Sequence, residues 1–339
     1  MNVTDTANSR VRLSADEARA LAEGALQGTG YNAQEAGILA DHMLDAALCG
    51  YEYSGLPKVL NIIEHPKARQ PRTAMAIVHE TGMSTLFDGG NQCGMLAMYH
   101  ATRTAIDKAR EHGMSLVGVT NSWNSGRSAY YMEMLARAEL VGMHTVSAAA
   151  QVAPPGGTKP VLGTNPIAFG FPTTADPLIV DLGTAAFMFS DVMLRERMGM
   201  ALPPGVAIDP QGEPTCDPAQ ARLGALLPFG DYKGFALSLA MQAFGVLAGS
   251  GFNANKDYGY LLIAIRPDLM IPLDEFKQQM TDLITRIKAT PRQPAVDEIR
   301  LPSERSFRQR SSNLRDGIEI DRPIHDALIA LAAGTQASI

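Results

Sequence analysis

Between Val152 and Thr184 the chain reads "VAPPGGTKPVLGTNPIAFGFPTTADPLIVDLGT", and no other stretch constrains its architecture as tightly. Two short apolar runs, "PIAFGF" and "PLIVDL", have the length and composition of strands in a sheet core. Proline and glycine punctuate everything around them. "PPGG" and "LGTNP" are glycine-rich turns that follow strands. Backbone N–H groups in such turns can cradle phosphates, as can the N-terminus of a helix that follows. On residue type alone they equally suit tight turns that need a positive φ. Neither GxGxxG nor a P-loop occurs in a strand-to-helix setting.

Upstream, two amphipathic helices open the chain. "SADEARALAEGAL" begins with a capping box, Ser14 with Glu17, and "NAQEAGILADHMLDAAL" begins with another, Asn32 with Glu35. A loop with extended pieces is expected through "GYEYSGLPKV". "TAMAIVHETGMSTLFDGG" alternates like two strands around a turn, ended by Asp88-Gly89-Gly90-Asn91. A helix closed by Gly113 follows, then the strand "MSLVGVT", a helix over 129–139 and the strand "VGMHTVSAA". Downstream come the helix "MFSDVMLRERMG", a long apolar helix from "GDYKGF", the strand "YGYLLIAIRPDLM" and the helix "PLDEFKQQMTDLITRIKAT". A strand-like piece and a closing helix form the tail. Strands and helices mix without strict βαβ alternation, so α/β and α+β both remain open on pattern alone.

The 339 residues suffice for two domains, and 46 % hydrophobic with 19 % charged residues is ordinary globular composition. A net charge of −6 without a dense Lys/Arg cluster argues against a nucleic-acid partner. The richest basic stretch, Arg305 to Arg315, reads as a solvated surface. Cys49, Cys93 and Cys216 lack metal-ligand spacing, which implies a reducing compartment and no metal site. The N-terminus has no apolar h-region, which argues against secretion. "GFALSLAMQAFGVLAGSGF", Gly234 to Phe252, is long and uncharged enough to span a membrane. Its Gly, Ser and Gln242 content and the absence of a second span favour a buried, small-residue-rich core helix.

One run concentrates hydrogen-bonding side chains at a strand-to-helix junction: "TNSWNSGRSAYY", Thr120 to Tyr131, with the only tryptophan and no His, Asp, Glu or Cys. Lys233, flanked by glycines in "DYKGF", is placed either to reach a phosphate or carboxylate or to be an ordinary exposed lysine. The histidines show no ligand spacing. His42, His100, His112 and His325 read as surface or capping residues, His79 and His144 as partly buried and satisfied, and His65 as a loop residue before Pro66. No Ser-His-Asp or HExxH arrangement supports a hydrolase or a metalloenzyme.

Taken together, "FDGGNQCGMLAMYHATRTAIDKAREHGMSLVGVTNS", "VAPPGGTKPVLGTNPIAFGFP", "IVDLGT", "GEPTCDP", "LLPFGDYKGFALSL" and "LPSERS" resemble one family in order and spacing. It is the NAD(P)-dependent malate/sulfolactate/ureidoglycolate dehydrogenase family. It also contains cyclic-imine reductases acting on piperideine and pyrroline carboxylates. The resemblance covers about residues 12 to 335. It implies a mixed α/β protein with a mostly antiparallel open sheet in a non-Rossmann cofactor domain, 76–289. It also implies a helical, dimerising domain from both chain ends, 1–75 and 290–339, and a cytoplasmic homodimer. NAD(P)H is the implied cofactor, NAD versus NADP being open, and a small-molecule carboxylate the implied substrate. The dinucleotide would lie along Ser147, Pro155, Gly156, Gly157, Thr164, Asn165, Asp181, Leu182, Gly183, Lys233, Ser303, Glu304 and Arg305.

This chain departs from the family at the proton donor. The first signature, roughly Arg-Gly-x-Asp-Ser-His-Gly-x-x-Arg, aligns with "CGYEYSGLPK", placing Ser54 where the family has His and Lys58 where it has a carboxylate-holding Arg. The second, Asn-Ser-x-His-Phe-Gly, aligns with "NSWNSG", placing Asn124 at the acid/base histidine and Ser125 at Phe. Ala148-Ala149-Ala150 stand where many members carry a polar cofactor loop. Three accounts follow: a reductase with a Tyr or Ser donor, an imine reductase whose substrate brings its own charge, or a catalytically silent dinucleotide-binding or assembly protein. In the first, Ser54, Asn124 and Ser125 line the pocket and Lys58 and Arg127 hold the carboxylate. A nearby ammonium would then lower the phenol of Tyr53 or Tyr131.

Overall fold

The computed structural model describes residues 10–251 and 258–335. Its elements begin with β1 (Arg10–Leu13), α1 (Ala15–Gly28), α2 (Ala33–Leu48), a 3₁₀ turn (Glu52–Ser54) and α3 (Lys58–Glu64). There follow β2 (Ala76–Glu80), β3 (Ser84–Cys93), α4 (Gly94–His112), β4 (Met114–Trp123), α5 (Ser128–Arg137) and β5 (Val141–Ser147). Next come β6 (Ile167–Phe171), β7 (Leu178–Leu182), α6 (Phe189–Arg197), β8 (Ala207–Ile208), α7 (Pro218–Leu223), β9 (Ala225–Leu226) and α8 (Tyr232–Leu247). The chain closes with β10 (Gly259–Ile265), α9 (Leu273–Lys288), α10 (Glu304–Asp316), β11 (Ile318–Asp321) and α11 (Arg322–Ala332).

Seven strands form one open sheet in the order β2-β3-β4-β10-β5-β6-β7, and only the β3–β4 pair is parallel. This is the mixed, mostly antiparallel non-Rossmann arrangement that the sequence implies. "PIAFGF" and "PLIVDL" are β6 and β7, paired antiparallel at the far edge. A separate ribbon joins the chain's two ends, Arg10 facing Asp321 and Leu13 facing Ile318.

Both capping boxes form. Ser14 Oγ accepts the Glu17 N–H while the Glu17 carboxylate accepts the Ser14 N–H, and Asn32 and Glu35 do the same. Gly113 ends α4 at φ +89°. The core is continuous from α1, α2 and α11 through the buried faces of α4 and α5 to Val117, Val119, Tyr260 and Leu262 of the central strands.

Four local expectations are corrected. Lys58 and Val59, at the end of the expected loop, instead open α3, because Val59, Leu60 and Ile62 all bury against the helical core. Residues 304–316 form α10, in which Arg310 is drawn into ion pairs with Asp45 and Glu133 while Arg305, Arg308 and Arg315 stay exposed. Strand β3 does not end at Asp88 but passes through a register irregularity to Cys93. Helix α8 is not buried all round. Gly234, Ser238, Met241 and Gly245 form its packed stripe, while Leu239, Val246 and Leu247 are 48 %, 48 % and 61 % exposed. Phe252, the end of the apolar run, lies outside the described residues. Among those described, no helix is long and apolar enough to cross a membrane.

Candidate active site

The polar junction forms where β4 leaves the sheet. Strand β4 continues through Trp123, and α5 begins at Ser128, so 124–127 is a four-residue bridge between them. Asn124 (φ +59°) and Gly126 (φ +72°) adopt the left-handed region that gives this bridge its shape. A Cβ on Gly126 would stand 2.3 Å from His42 Nε2, so glycine is required there for space as well as for φ. Three buried side chains hold the backbone. His42 Nε2 accepts the Arg127 N–H at 2.8 Å, the Tyr131 hydroxyl donates to Ser125 O at 2.6 Å, and Cys93 Sγ lies 3.7 Å from Asn124 O. Trp123 is a core residue, 1 % exposed. Its indole N–H donates to Asn91 O and its ring stacks on His65 at 4.4 Å.

Several candidate roles change once these contacts are known. Tyr131 is fully buried among His42, Tyr130 and His144, and its hydroxyl is committed to Ser125. Burial raises its pKa well above the usual phenol value, so it is no activated acid. Burial also pushes Tyr53 up to about 12, with Tyr51, Asp181 and Asp191 adding to it. The phenol lowered by a nearby ammonium is therefore not found at either tyrosine. Arg127 is not an open carboxylate fork either. Its guanidinium pairs with Asp45 at 2.6 Å, and Asp45 continues through Arg310 to Glu133 in a partly buried chain of alternating charge. Ser54 is 8 % exposed in the 3₁₀ turn.

Lys58 behaves differently. It enters from the first turn of α3, is 5 % exposed, and hydrogen-bonds to Ser190 Oγ at the start of α6. Among the described residues it forms no ion pair. Burial lowers its pKa to about 8. The Cys93 side chain opposes that shift and the Arg197 guanidinium adds to it. Arg197 is itself bound to Asn61 and Glu64, and Asp191, next to Ser190, pairs with Arg195.

The implied cofactor loops fall into distinct settings. Thr164 O accepts both the backbone N–H and the hydroxyl of Thr184, whose own carbonyl accepts the Phe229 N–H just ahead of α8. The turns around Thr164, Gly183 and the start of α8 thus form one assembly. The Asp181 carboxylate closes it onto α5 by accepting the Ala129 N–H at 2.8 Å, a favourable charge at a helix N-terminus. Leu182 ends β7 beside it. Lys233 is exposed in the first turn of α8, which carries no side-chain cap. Pro155 and Gly156 are exposed, and nothing stands within 4 Å of the Cβ position of Gly156. Gly157 closes that turn by donating to Pro154 O.

Ser147 and Asn165 are fully buried and already occupied. Ser147 lies against Gly245 and bonds Ser250, while Asn165 ties the Ala148 N–H to Ser238 and Gln242 of α8. Ser303 (φ +62°) precedes α10, Glu304 pairs with Lys288 and Arg308, and Arg305 lies over the Tyr51 ring at 5.0 Å. Arg127 lies over the same ring at 5.0 Å, so the 303–305 segment adjoins the polar bridge. Among the described residues no group of His, Cys, Asp or Glu could hold a metal ion.

Sequence reasoning passed over His42, Asp45 and Ser190. His42 is 1 % exposed rather than at the surface; its position one turn from Leu39 and Ala46 on the buried stripe of α2 was the available signal. His144 is buried with neither ring nitrogen partnered, rather than satisfied. Nothing in the sequence marked Ser190, because its significance depends on Lys58, 132 positions away.

The chain matches the malate/L-lactate dehydrogenase family model over residues 13–329. It is 31 % identical to the L-sulfolactate dehydrogenase of Methanothermobacter thermautotrophicus, over 95 % of this chain and 96 % of that one. It is 32 % identical to the Delta(1)-pyrroline-2-carboxylate/Delta(1)-piperideine-2-carboxylate reductase of Pseudomonas aeruginosa, over 95 % and 99 %. The crystal structure of a dehydrogenase from Sinorhizobium meliloti superimposes with a TM-score of 0.87 over 96 % of this chain and 99 % of that one, at 29 % identity. The fold and these relatives define an oxidoreductase of the dehydrogenase and reductase kind. The chain belongs to the malate/L-lactate dehydrogenase family, which implies a nicotinamide dinucleotide as its cofactor.

Proposed function

We propose that this protein interconverts a small 2-oxo acid and its 2-hydroxy acid, or a cyclic 2-imino acid and its saturated form, using NAD(P)H and a proton donor other than histidine. The observation that carries this reading is Lys58, a buried ammonium whose partner is a neutral hydroxyl rather than a carboxylate. A buried charge without a counter-ion is costly unless a ligand supplies one, and a substrate carboxylate does so. Arg127, already paired with Asp45, is left with a structural role.

The turns at the start of α8 and at Pro155–Gly157 suit a dinucleotide. The uncapped N-terminal turn of α8, with Lys233 exposed in it, offers positive potential for a pyrophosphate. The open turn at Pro155–Gly157, where nothing stands within 4 Å of the Gly156 Cβ position, allows backbone to approach closely. When bound, the dinucleotide supplies the hydride. The chain's own part is to orient the substrate between Lys58 and Asn124 and to deliver the proton. Asn124 can hold a carbonyl or a water without titrating. A cytoplasmic homodimer is the setting that goes with this reading, since the outer face of α8 and the apolar side of α9 are uncovered in the single chain.

The test is binding of NADH and NADPH in turn, followed by nicotinamide absorbance with a panel of 2-oxo acids and cyclic imines. Turnover on a member of either class supports the reading. Binding without turnover on any member favours the catalytically silent alternative. No binding of either dinucleotide overturns both.

A further inference from the structure

Ser54 and Asn124, which the resemblance aligns with the two signature histidines, are poor proton donors. Asn124 carries an amide, and Ser54 is buried in its 3₁₀ turn with a hydroxyl that is only a weak acid. The two tyrosines are raised rather than activated. We propose that Lys58 is itself the proton donor of the reaction and that Ser190 is the residue that aims it. The inference rests on the oxidoreductase reading above and assigns to one ammonium two tasks, holding the carboxylate and protonating its neighbour.

The donor count of an ammonium allows both. An ammonium has three N–H donors on a compact head. Ser190 Oγ takes one of them, fixing the rotation of a side chain that is already nearly buried. The remaining two match in number the needs of a 2-oxo acid, whose carboxylate oxygen and 2-oxo oxygen lie side by side on adjacent carbons. As hydride arrives at C2, the π pair of the C2–O bond moves onto oxygen, the Nζ–H bond breaks and an O–H bond forms. For an imine the pair moves onto nitrogen and an N–H bond forms instead. The substrate is reduced and the nicotinamide oxidised. Lys58 is left as a neutral amine, still bonded to Ser190, and takes a proton from water before the next turnover.

The surroundings keep this proton available. His42 from α2, Cys93 from β3 and Arg197 from α6 are the titratable or charged groups that act on Lys58, and Asp191 lies next to Ser190 in α6. His42 is held neutral by burial, with a pKa near 3, and the Cys93 thiol is pushed up to about 12, so neither neutralises Lys58 at physiological pH. Arg197 and Asp191 have partners of their own. With its pKa near 8, Lys58 lies where a general acid is both protonated and willing to part with the proton.

The discriminating variants are Lys58→Arg, Lys58→Ala and Ser190→Ala. Arginine keeps the charge that binds a carboxylate and gives no proton at neutral pH. Oxalate, a non-reducible stand-in for a 2-oxo acid, is titrated by calorimetry. Turnover is followed with the best substrate of the panel, and Lys58 is titrated directly by NMR of the lysine-labelled protein. In the wild type, kcat/KM for reduction is expected to fall above pH ~8 with the same midpoint as the Lys58 resonance. Lys58→Arg should bind oxalate within ~5-fold while kcat falls ~100-fold or more and the inflection disappears. Lys58→Ala should lose both, and Ser190→Ala should shift the inflection and lower kcat by ~10-fold with KM little changed. Retained kcat in Lys58→Arg, or a Lys58 resonance that titrates only above pH ~10, overturns the proposal. Absence of turnover in the wild type overturns the oxidoreductase reading instead.

Discussion

His42 Nε2 accepts the backbone N–H of Arg127 at 2.8 Å, so a helix near the N-terminus fixes the bridge between β4 and α5 from below. The ring is thereby the Nδ1–H tautomer, and that second nitrogen has no partner among the described residues. His144, fully buried under Tyr131, has neither nitrogen partnered.

Burial lowers both imidazoles to about 3, with Arg127 and Lys58 adding to the effect at His42. An unfolded imidazole titrates near ~6.5, so below that pH the unfolded chain takes up protons that the folded chain refuses. Stability is therefore expected to be full above pH ~6.5 and to fall steadily towards pH ~3, by roughly 1–2 kcal/mol per histidine at pH ~5. His144→Leu should flatten this slope and leave neutral-pH stability unchanged or higher, because it removes two orphaned nitrogens. Urea unfolding at several pH values measures it, and an unaltered slope would show that His144 is not a source of the effect.

The Arg127–Asp45 pair should behave as one unit. Asp45→Asn leaves two guanidinium groups, of Arg127 and Arg310, without their shared carboxylate, and a loss of ~3 kcal/mol is expected. Arg127→Met should lose a comparable amount, and the double variant less than the sum. Additive losses in the cycle would remove the coupling.

Tyr131→Phe deletes the hydroxyl that holds Ser125 O. The expected result is a stability loss of ~1–2 kcal/mol with turnover lowered less than ~10-fold. A drop of ~100-fold or more at unchanged stability would restore Tyr131 as a proton donor.

The uncovered apolar positions on α8 and α9 should lie between subunits. Leu239, Leu247 and Leu283 are 48 %, 61 % and 47 % exposed. Leu239→Glu combined with Leu283→Lys is expected to convert a dimer to a monomer in sedimentation equilibrium. A wild type that sediments as a monomer would refute the dimer.

Much of the architecture was written locally. Capping boxes, alternating runs and glycine stops placed α1, α2, α4 and most strands, because each depends on residues within a turn or two of one another. The shared blocks from Phe87 to Ser306 carried the family, and the same alignment located Lys58 and Asn124 at positions of interest. The helix at 304–316 was missed because its polar periodicity finds its partners, Asp45 and Glu133, only in space.

What the sequence by itself determined was most of the elements and the kind of enzyme. Only the tertiary structure decided what each remaining side chain is free to do. Arg127 and Tyr131, candidates for the substrate site, and Ser147 and Asn165, placed at the cofactor by the resemblance, are all committed to partners within the chain. Lys58 reads as a modest substitute for arginine, yet it is the buried cation left with a hydroxyl for company. The reason is physical: availability depends on desolvation and on which groups from distant parts of the chain arrive within hydrogen-bond reach, and periodicity reports neither.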